Sequence, residues 1–171
     1  QPDQAAGFLL AAITGFLAGA LAYGNRFFEA FLAPLISLMK SIPVASFVVL
    51  ALIWLGGSAN LSVFVSFVVV FPMVYLSSLS GLRSTEGKLL EMARVFRVRP
   101  MKKVRYIYFP AVYPYLMNCF RTALGMAWKS GVAAELIGQP RHTVGGNLYQ
   151  AKIFLDTPGV FAWTFTVILV S

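Results

Sequence analysis

The sequence predicts an all-α integral membrane protein, a polytopic helical bundle of about five spans forming one domain over residues 1–171. Three observations carry this reading. Of the 171 residues 58% are hydrophobic and 12% charged, with a mean hydropathy of +0.76; soluble domains carry about 25% charged residues. Several apolar runs approach the ~20 residues that cross a bilayer as a helix. The charge is also unevenly placed. Residues 83–105 hold eight of the fourteen Lys and Arg (Arg83, Lys88, Arg94, Arg97, Arg99, Lys102, Lys103, Arg105) against only Glu86 and Glu91.

Residues 5–24 are the first span. Ala11, Gly15 and Gly19 recur every fourth residue, a stripe of small side chains that lets a second helix approach closely. Residues 27–40 mix Phe27, Phe28, Leu32, Leu35 and Met39 with Glu29 and Lys40, and read as an interfacial helix. Pro43 opens a second apolar run to about Leu55, short for a full span unless tilted or extended by residues 34–42. Gly56 to Asn60 is a turn cluster. Residues 61–80 form the third span; their valines favour strand in water, but in lipid the helix satisfies every backbone group. Pro72 is expected to bend it.

After the basic insert, Pro110 and Pro114 open a fourth span over about 111–131, with Ala123, Ala127 and Gly131 as a second stripe of small residues. Residues 138–158 are polar and rich in Gly and Pro, an external segment. Residues 159–171 begin a fifth span. The chain starts without Met and stops inside an apolar run, so both ends read as cut from a longer protein. No cleavable signal peptide is expected, because the first residues lack a positive flank.

A short loop as basic as 83–105 is retained in the cytoplasm. That places Gln1, Asn60 and Arg141 outside and Arg26 and Lys40 inside. Within the insert, Leu89, Met92, Ala93 and Phe96 fall on one apolar helical face, with Lys88, Glu91 and Arg94 opposite. Ser84 is the expected N-cap and Glu86 a first-turn acid. Arg97 and Arg99 occupy the last turn, and Pro100 begins a second short helix. The result is a helix–turn–helix lying along the membrane. Such a surface suits acidic lipid or an acidic protein, and the net charge of +8 does not point to nucleic acid, because it concentrates between membrane segments.

The run Glu91-Met92-Ala93, with Arg97 four residues after Ala93 and Ile107-x-Phe109-Pro110 behind it, resembles the EAA loop of ABC importer permeases. Lys40-Ser41-Ile42-Pro43, Trp54-Leu55-Gly56, Phe71-Pro72, Gly81-Leu82-Arg83-Ser84, Ala127-Trp128 and Ala134-Glu135-Leu136-Ile137-Gly138 are similar to landmarks of the nitrate/sulfonate/taurine-type branch, in the same order. Met92 stands where the family has Ala, Arg97 where it has Gly, and Phe109 where it has Leu. With Arg97 in place of Gly, the helix is expected to run straight to Pro100.

The resemblance implies a bacterial cytoplasmic-membrane permease subunit, working as a pair of identical copies. It also implies a cytoplasmic ABC ATPase that holds the ATP and magnesium, and an extracytoplasmic binding protein that delivers the solute. Residues of about 84–107 become coupling helices seated in the ATPase. Glu91 makes a polar contact there, Met92, Ala93 and Phe96 form the apolar plug, Arg97 sits at the turn, and Pro110 sets the exit angle into the fourth span. The branch imports small anions such as sulfonates, nitrate and bicarbonate, and in some members pyrimidine-like vitamin precursors.

No catalytic or metal-binding constellation is present in the sequence. His142 is the single histidine and Cys119 the single cysteine, which rules out a His pair, a triad or a disulfide within the chain. Gly81 and Gly87-Lys88 are one residue too far apart for a phosphate-binding loop, and Leu89 stands where a magnesium-holding hydroxyl belongs. Arg121 and Lys129 are the charges of the fourth span. Intramembrane cations line a cavity, pair with a neighbour or reach the interface. Lys129 with Ser130 would offer a positive, hydrogen-bonding lining to an anionic solute; Glu135 would either balance Lys129 or close an external gate. A channel, an ion-driven carrier and a structural subunit of a larger membrane enzyme are the competing classes.

Overall fold

The structure, a computed structural model, describes residues 2–55, 58–139 and 142–171. Every described element is helical: α1 (Pro2–Gly24), α2 (Arg26–Ser41), α3 (Val44–Leu55), α4 (Ser58–Arg83), α5 (Gly87–Val95), α6 (Pro100–Lys103), a π-helical turn (Val104–Tyr108), α7 (Phe109–Gly138), α8 (Val144–Ile153) and α9 (Thr157–Val170).

The centre of the fold is α4, with α1 on one side and α7 on another. The small-residue stripe of α1 is what brings α1 and α4 together. A Cβ added to Gly15 would sit 3.1 Å from the Phe71 carbonyl oxygen, and one added to Gly19 would sit 2.7 Å from the Ser78 Cβ. Gly7 extends the stripe by another turn, since a Cβ there would meet the Val63 carbonyl oxygen at 2.5 Å. Apolar side chains gain little by leaving lipid for a protein interior, so close backbone approach and dispersion hold such helices together. The expected stripe of α7 is buried as well: Ala11 of α1, Val70 and Val74 of α4, and Cys119, Ala123 and Ala127 of α7 form one cluster.

Two smaller clusters attach the flanking helices. Leu32 and Ile36 of α2 pack with Ala22, Tyr75 and Leu79, which gives the helix expected over 27–40 its buried face. Val48 and Ala51 of α3 pack with Leu61, Val65 and Ala134. The second apolar run therefore does not make a straight span with residues 34–42: α2 and α3 meet at a bend of 106°. Its twelve residues rise only about 18 Å, short of a ~30 Å hydrocarbon core.

Two expectations about helix boundaries need correction. Ser58, Ala59 and Asn60 do not belong to a turn but open α4, while Gly56 and Gly57 lie outside the described residues. Within residues 138–158 lies α8, which Thr143 caps by accepting a 3.1 Å hydrogen bond from the Gly146 amide. Pro110 does not open a new helix; from Pro100 to Gly138 the chain is helical throughout, and the Phe109 amide reaches back five residues to Val104. A proline ring crowds the carbonyl four residues before it, and the wider π-turn just ahead of Pro110 accommodates that.

On the number of spans the structure supports a coarser statement than about five. Among the described residues, two helices are long and apolar enough to cross a membrane, Ala5–Gly24 and Val63–Arg83, or three if the bent pair counts as one. With thirty residues α7 has the length, but Arg121, Lys129, Glu135, Asn118 and its tyrosines dilute it. The apolar helix α9 has only fourteen residues.

Candidate functional site

Two places hold the residues singled out from the sequence: the elbow formed by α5 and α6, and the far half of α7. The elbow begins differently from expectation. Ser84 is not the N-cap of α5, because its hydroxyl donates to the Gly81 carbonyl at 2.8 Å and so belongs to the last turn of α4. Glu86 takes the cap position instead, with extended backbone and no side-chain capping bond.

The C-terminal end of α5 is tightly closed. The Val98 amide donates to the Ala93 carbonyl at 3.0 Å, and the Arg97 amide to Arg94 at 3.1 Å. These are the two bonds of a Schellman cap, which needs a left-handed residue between them. Arg97 supplies it, with φ of +49°. The helix therefore does not continue to Pro100. The cause is Pro100 itself, because a residue preceding proline is driven out of helical geometry, and Arg99 is extended at ψ 142°. The chain must leave the helix before Arg99, and it keeps the tight turn despite the absence of glycine.

That closure fixes which side chains stand out. Ala93 is the one buried residue of α5. Met92 and Phe96 are exposed, as is Val95, which helical periodicity alone had not singled out. Glu91 is exposed on the same short helix. The elbow thus presents apolar Met92, Val95 and Phe96 to its surroundings, ringed by Lys88, Arg94 and Arg97.

Side-chain contacts tie this end of the bundle together. Arg83 at the end of α4 donates to Glu29 of α2 at 2.6 Å. Tyr108 in the π-turn packs edge-on against Tyr23 of α1, with ring centroids 5.9 Å apart.

The far half of α7 separates the residues that the sequence places side by side. Lys129 is exposed. Ser130, one residue on, is buried and donates to the Ala127 carbonyl at 3.1 Å within its own helix. Arg121 lines a groove of about 710 Å³ together with Phe8 and Leu9 of α1 and Trp128. The Trp128 indole donates to the Val167 carbonyl at 3.3 Å, which docks α9 on α7.

Glu135 is buried at 3% exposure, and its carboxylate accepts a 3.1 Å hydrogen bond from the Gly145 amide in the first turn of α8. The positive end of a helix favours a carboxylate there. No ion pair joins Glu135 to Lys129 among the described residues, and five residues of helix lie between them. His142 is exposed in a left-handed conformation (φ +61°) beside a polar hollow of about 320 Å³ lined by Asn147 and Gln150. No group of three or more metal-ligating side chains occurs among the described residues.

A helical membrane bundle with an exposed, basic elbow between two of its long helices defines a class of polytopic membrane component. Residues 11–171 match the family of binding-protein-dependent transport system inner membrane components, and the chain belongs to that family. Membership makes it the membrane component of a transport system and not its catalytic subunit.

The chain is 31% identical over 158 residues to the protein named as an aliphatic sulfonates transport permease in Bacillus subtilis, covering 92% of this chain and 57% of that one. It is 28% identical to the riboflavin transport system permease of Chloroflexus aurantiacus, over 85% of this chain and 54% of the relative. It is 30% identical to the bicarbonate transport system permease of Synechococcus elongatus, over 78% and 48%. The chain spans about half the length of the curated relatives it matches.

Proposed function

We propose that the chain is the permease subunit of an ATP-driven, binding-protein-dependent importer of a small solute. In this reading the elbow of about 84–107 docks on a cytoplasmic ABC ATPase, which binds ATP and magnesium. An extracytoplasmic binding protein delivers solute, and a second, identical permease subunit completes the pathway. Residues 1–171 act as one membrane domain, with α7 and α9 joining the apolar helices in the bilayer and 83–105 on the cytoplasmic side.

The observation that carries this reading is the closed elbow. A cap formed by Ala93 and Val98 holds Met92, Val95 and Phe96 outward in water, where an apolar cluster is costly unless something covers it. A rigid knob set on the helix that continues into α7 can pass a displacement of the ATPase directly to the bundle. The π-turn lies on that route and the Tyr23–Tyr108 contact ties it to α1. Glu91 supplies a polar contact at the rim.

The test is the Glu91→Lys variant of the full-length subunit, reconstituted with its ATPase and binding protein. ATP hydrolysis should continue while solute uptake falls at least tenfold at equal membrane abundance. Normal uptake by the variant would remove the elbow from the coupling route.

A small organic or inorganic anion is the favoured solute. Relatives named for sulfonate and bicarbonate transport support it, and so does the exposed Lys129 in the half of α7 away from the elbow, where it can meet a negative group. Arg121, in the groove beside α1, is a second candidate lining cation. A flavin-like or pyrimidine-like ring compound is the second reading, supported by the riboflavin-named relative. Uptake by proteoliposomes offered an alkanesulfonate, nitrate, bicarbonate and riboflavin in turn separates the two readings. Under the anion reading, Lys129→Met lowers apparent affinity; an unchanged affinity would take Lys129 out of the pathway.

A further inference from the structure

An apolar groove of about 460 Å³ lies where α1, α4 and the long helix meet, within the ~300–1,000 Å³ of small-molecule sites. Tyr23 of α1, Leu82 of α4, and Val104, Phe109 and Tyr113 line it. Tyr23 is the penultimate residue of the apolar stretch Ala5–Gly24, and Leu82 that of Val63–Arg83. The groove therefore opens at the level where both helices leave the hydrocarbon, at the end of the bundle that carries the basic insert.

The charge at that level is one-sided. Lys103 and Arg105 flank Val104, and Lys102 is one residue further. No Asp or Glu occurs between Glu91 and Glu135, and among the described residues the one ion pair is that of Arg83 with Glu29. Phe109 and Tyr113, 63% and 50% exposed, continue the same helix below the cations. Apolar walls in the acyl region under three unneutralised cations at the headgroup region match one molecule, an amphiphile with a negative head.

We propose that this groove is a binding site for one anionic phospholipid. An acyl chain lies along Tyr23, Phe109 and Tyr113, and the phosphate meets Lys102, Lys103 and Arg105. The site rests on the membrane placement of the chain proposed above and is independent of the solute; it shares the π-turn with the coupling route, so its test reads lipid retention and not uptake. A second copy of this chain is a poorer occupant. A two-fold interface sets the same surface against itself, and here that brings three cations towards three more.

Native mass spectrometry of the purified full-length subunit, offered phosphatidylglycerol or phosphatidylcholine of equal chain length, tests the proposal. The unmodified protein should retain one phosphatidylglycerol at least tenfold better, since each cation near an anionic headgroup contributes roughly fivefold. Replacing Lys102, Lys103 and Arg105 together by Gln should abolish the preference without loss of the fold, as Lys102 and Arg105 are exposed, Lys103 is half-buried, and Gln keeps most of each side chain's length. Ala20→Trp, which fills the groove from α1, should remove the retained lipid altogether. Equal retention of the two lipids, a triple variant that keeps the preference, or a Tyr113→Cys variant that crosslinks rapidly to a second copy in membranes would each overturn the assignment.

Discussion

The Gly145 amide and the buried Glu135 carboxylate, 3.1 Å apart, join the last turns of α7 to the first turn of α8. The contact is close because Gly145 has no side chain. A Cβ there would lie 2.5 Å from the Glu135 Cβ and 2.7 Å from the Val132 carbonyl oxygen, and a backbone oxygen inside a helix yields little. Gly145→Ala should therefore destabilise by about 1–3 kcal/mol through overpacking. Glu135→Ala should cost a similar amount, about 1–3 kcal/mol, by leaving a buried amide without its acceptor. Cys119 gives the measurement: it is the single cysteine and is buried, so the temperature at which a maleimide dye labels it reports unfolding. Labelling temperatures equal to that of the parent protein would deny this junction a stabilising role.

The elbow makes a prediction of opposite sign. Arg97 holds a left-handed conformation that costs an ordinary residue roughly 1–2 kcal/mol and glycine almost nothing sterically. Arg97→Gly should strengthen the α5 cap, by about 1 kcal/mol or less after the greater flexibility of glycine in the unfolded chain is counted. Arg97→Val should weaken it, since a branched side chain tolerates this region least. Hydrogen exchange at the Val98 amide, which the cap protects, is the direct readout. It should slow in the glycine variant and quicken in the valine variant.

The elbow also shows how far the sequence could be read. The spacing of Leu89, Met92, Ala93 and Phe96 located a helix, and Pro100 located the start of the next. The closed turn between them was missed because Arg97 is an unfavourable residue for it, although Pro100 demands that the chain leave the helix by Arg99. The small-residue stripes of α1 and α7 were legible because close helix contact in lipid depends on little besides side-chain size. Less legible was the Glu135 contact with a backbone amide ten residues away; the charge alone suggested Lys129. Lys129 and Ser130 were paired by adjacency, but successive residues of a helix point about 100° apart. The continuous passage through Pro110 depended on a π-turn, for which the sequence carries no clear mark.

The α1–α4 contact predicts strong size dependence. Gly19 faces Ser78 and the Tyr75 carbonyl oxygen, which an added Cβ would approach to 2.7 and 3.0 Å. Gly19→Leu should force the helices apart and cost about 3 kcal/mol or more, at the upper end of overpacking penalties. Leu21→Ala, on the exposed side of α1, should change stability by only about 0.5 kcal/mol. The Cys119 labelling assay again measures both. Equal effects of the two substitutions would mean that the stripe does not seat α1.

The ion pair of Glu29 with Arg83 permits a final, quantitative prediction. Their atoms approach to 2.6 Å, but the Arg83 side chain is 54% exposed, so solvent screens the pair and its net contribution is small. A double-mutant cycle of Glu29→Gln and Arg83→Gln should return a coupling energy of about 0.2–1 kcal/mol, falling as salt is raised. The pair fixes where the interfacial helix α2 meets the end of α4, next to the basic insert. Reversing both charges, Glu29→Arg with Arg83→Glu, should therefore restore most of the stability lost in either single reversal. A coupling energy near zero at low salt, or no rescue by the double reversal, would show that α2 is held by Leu32 and Ile36 packing alone.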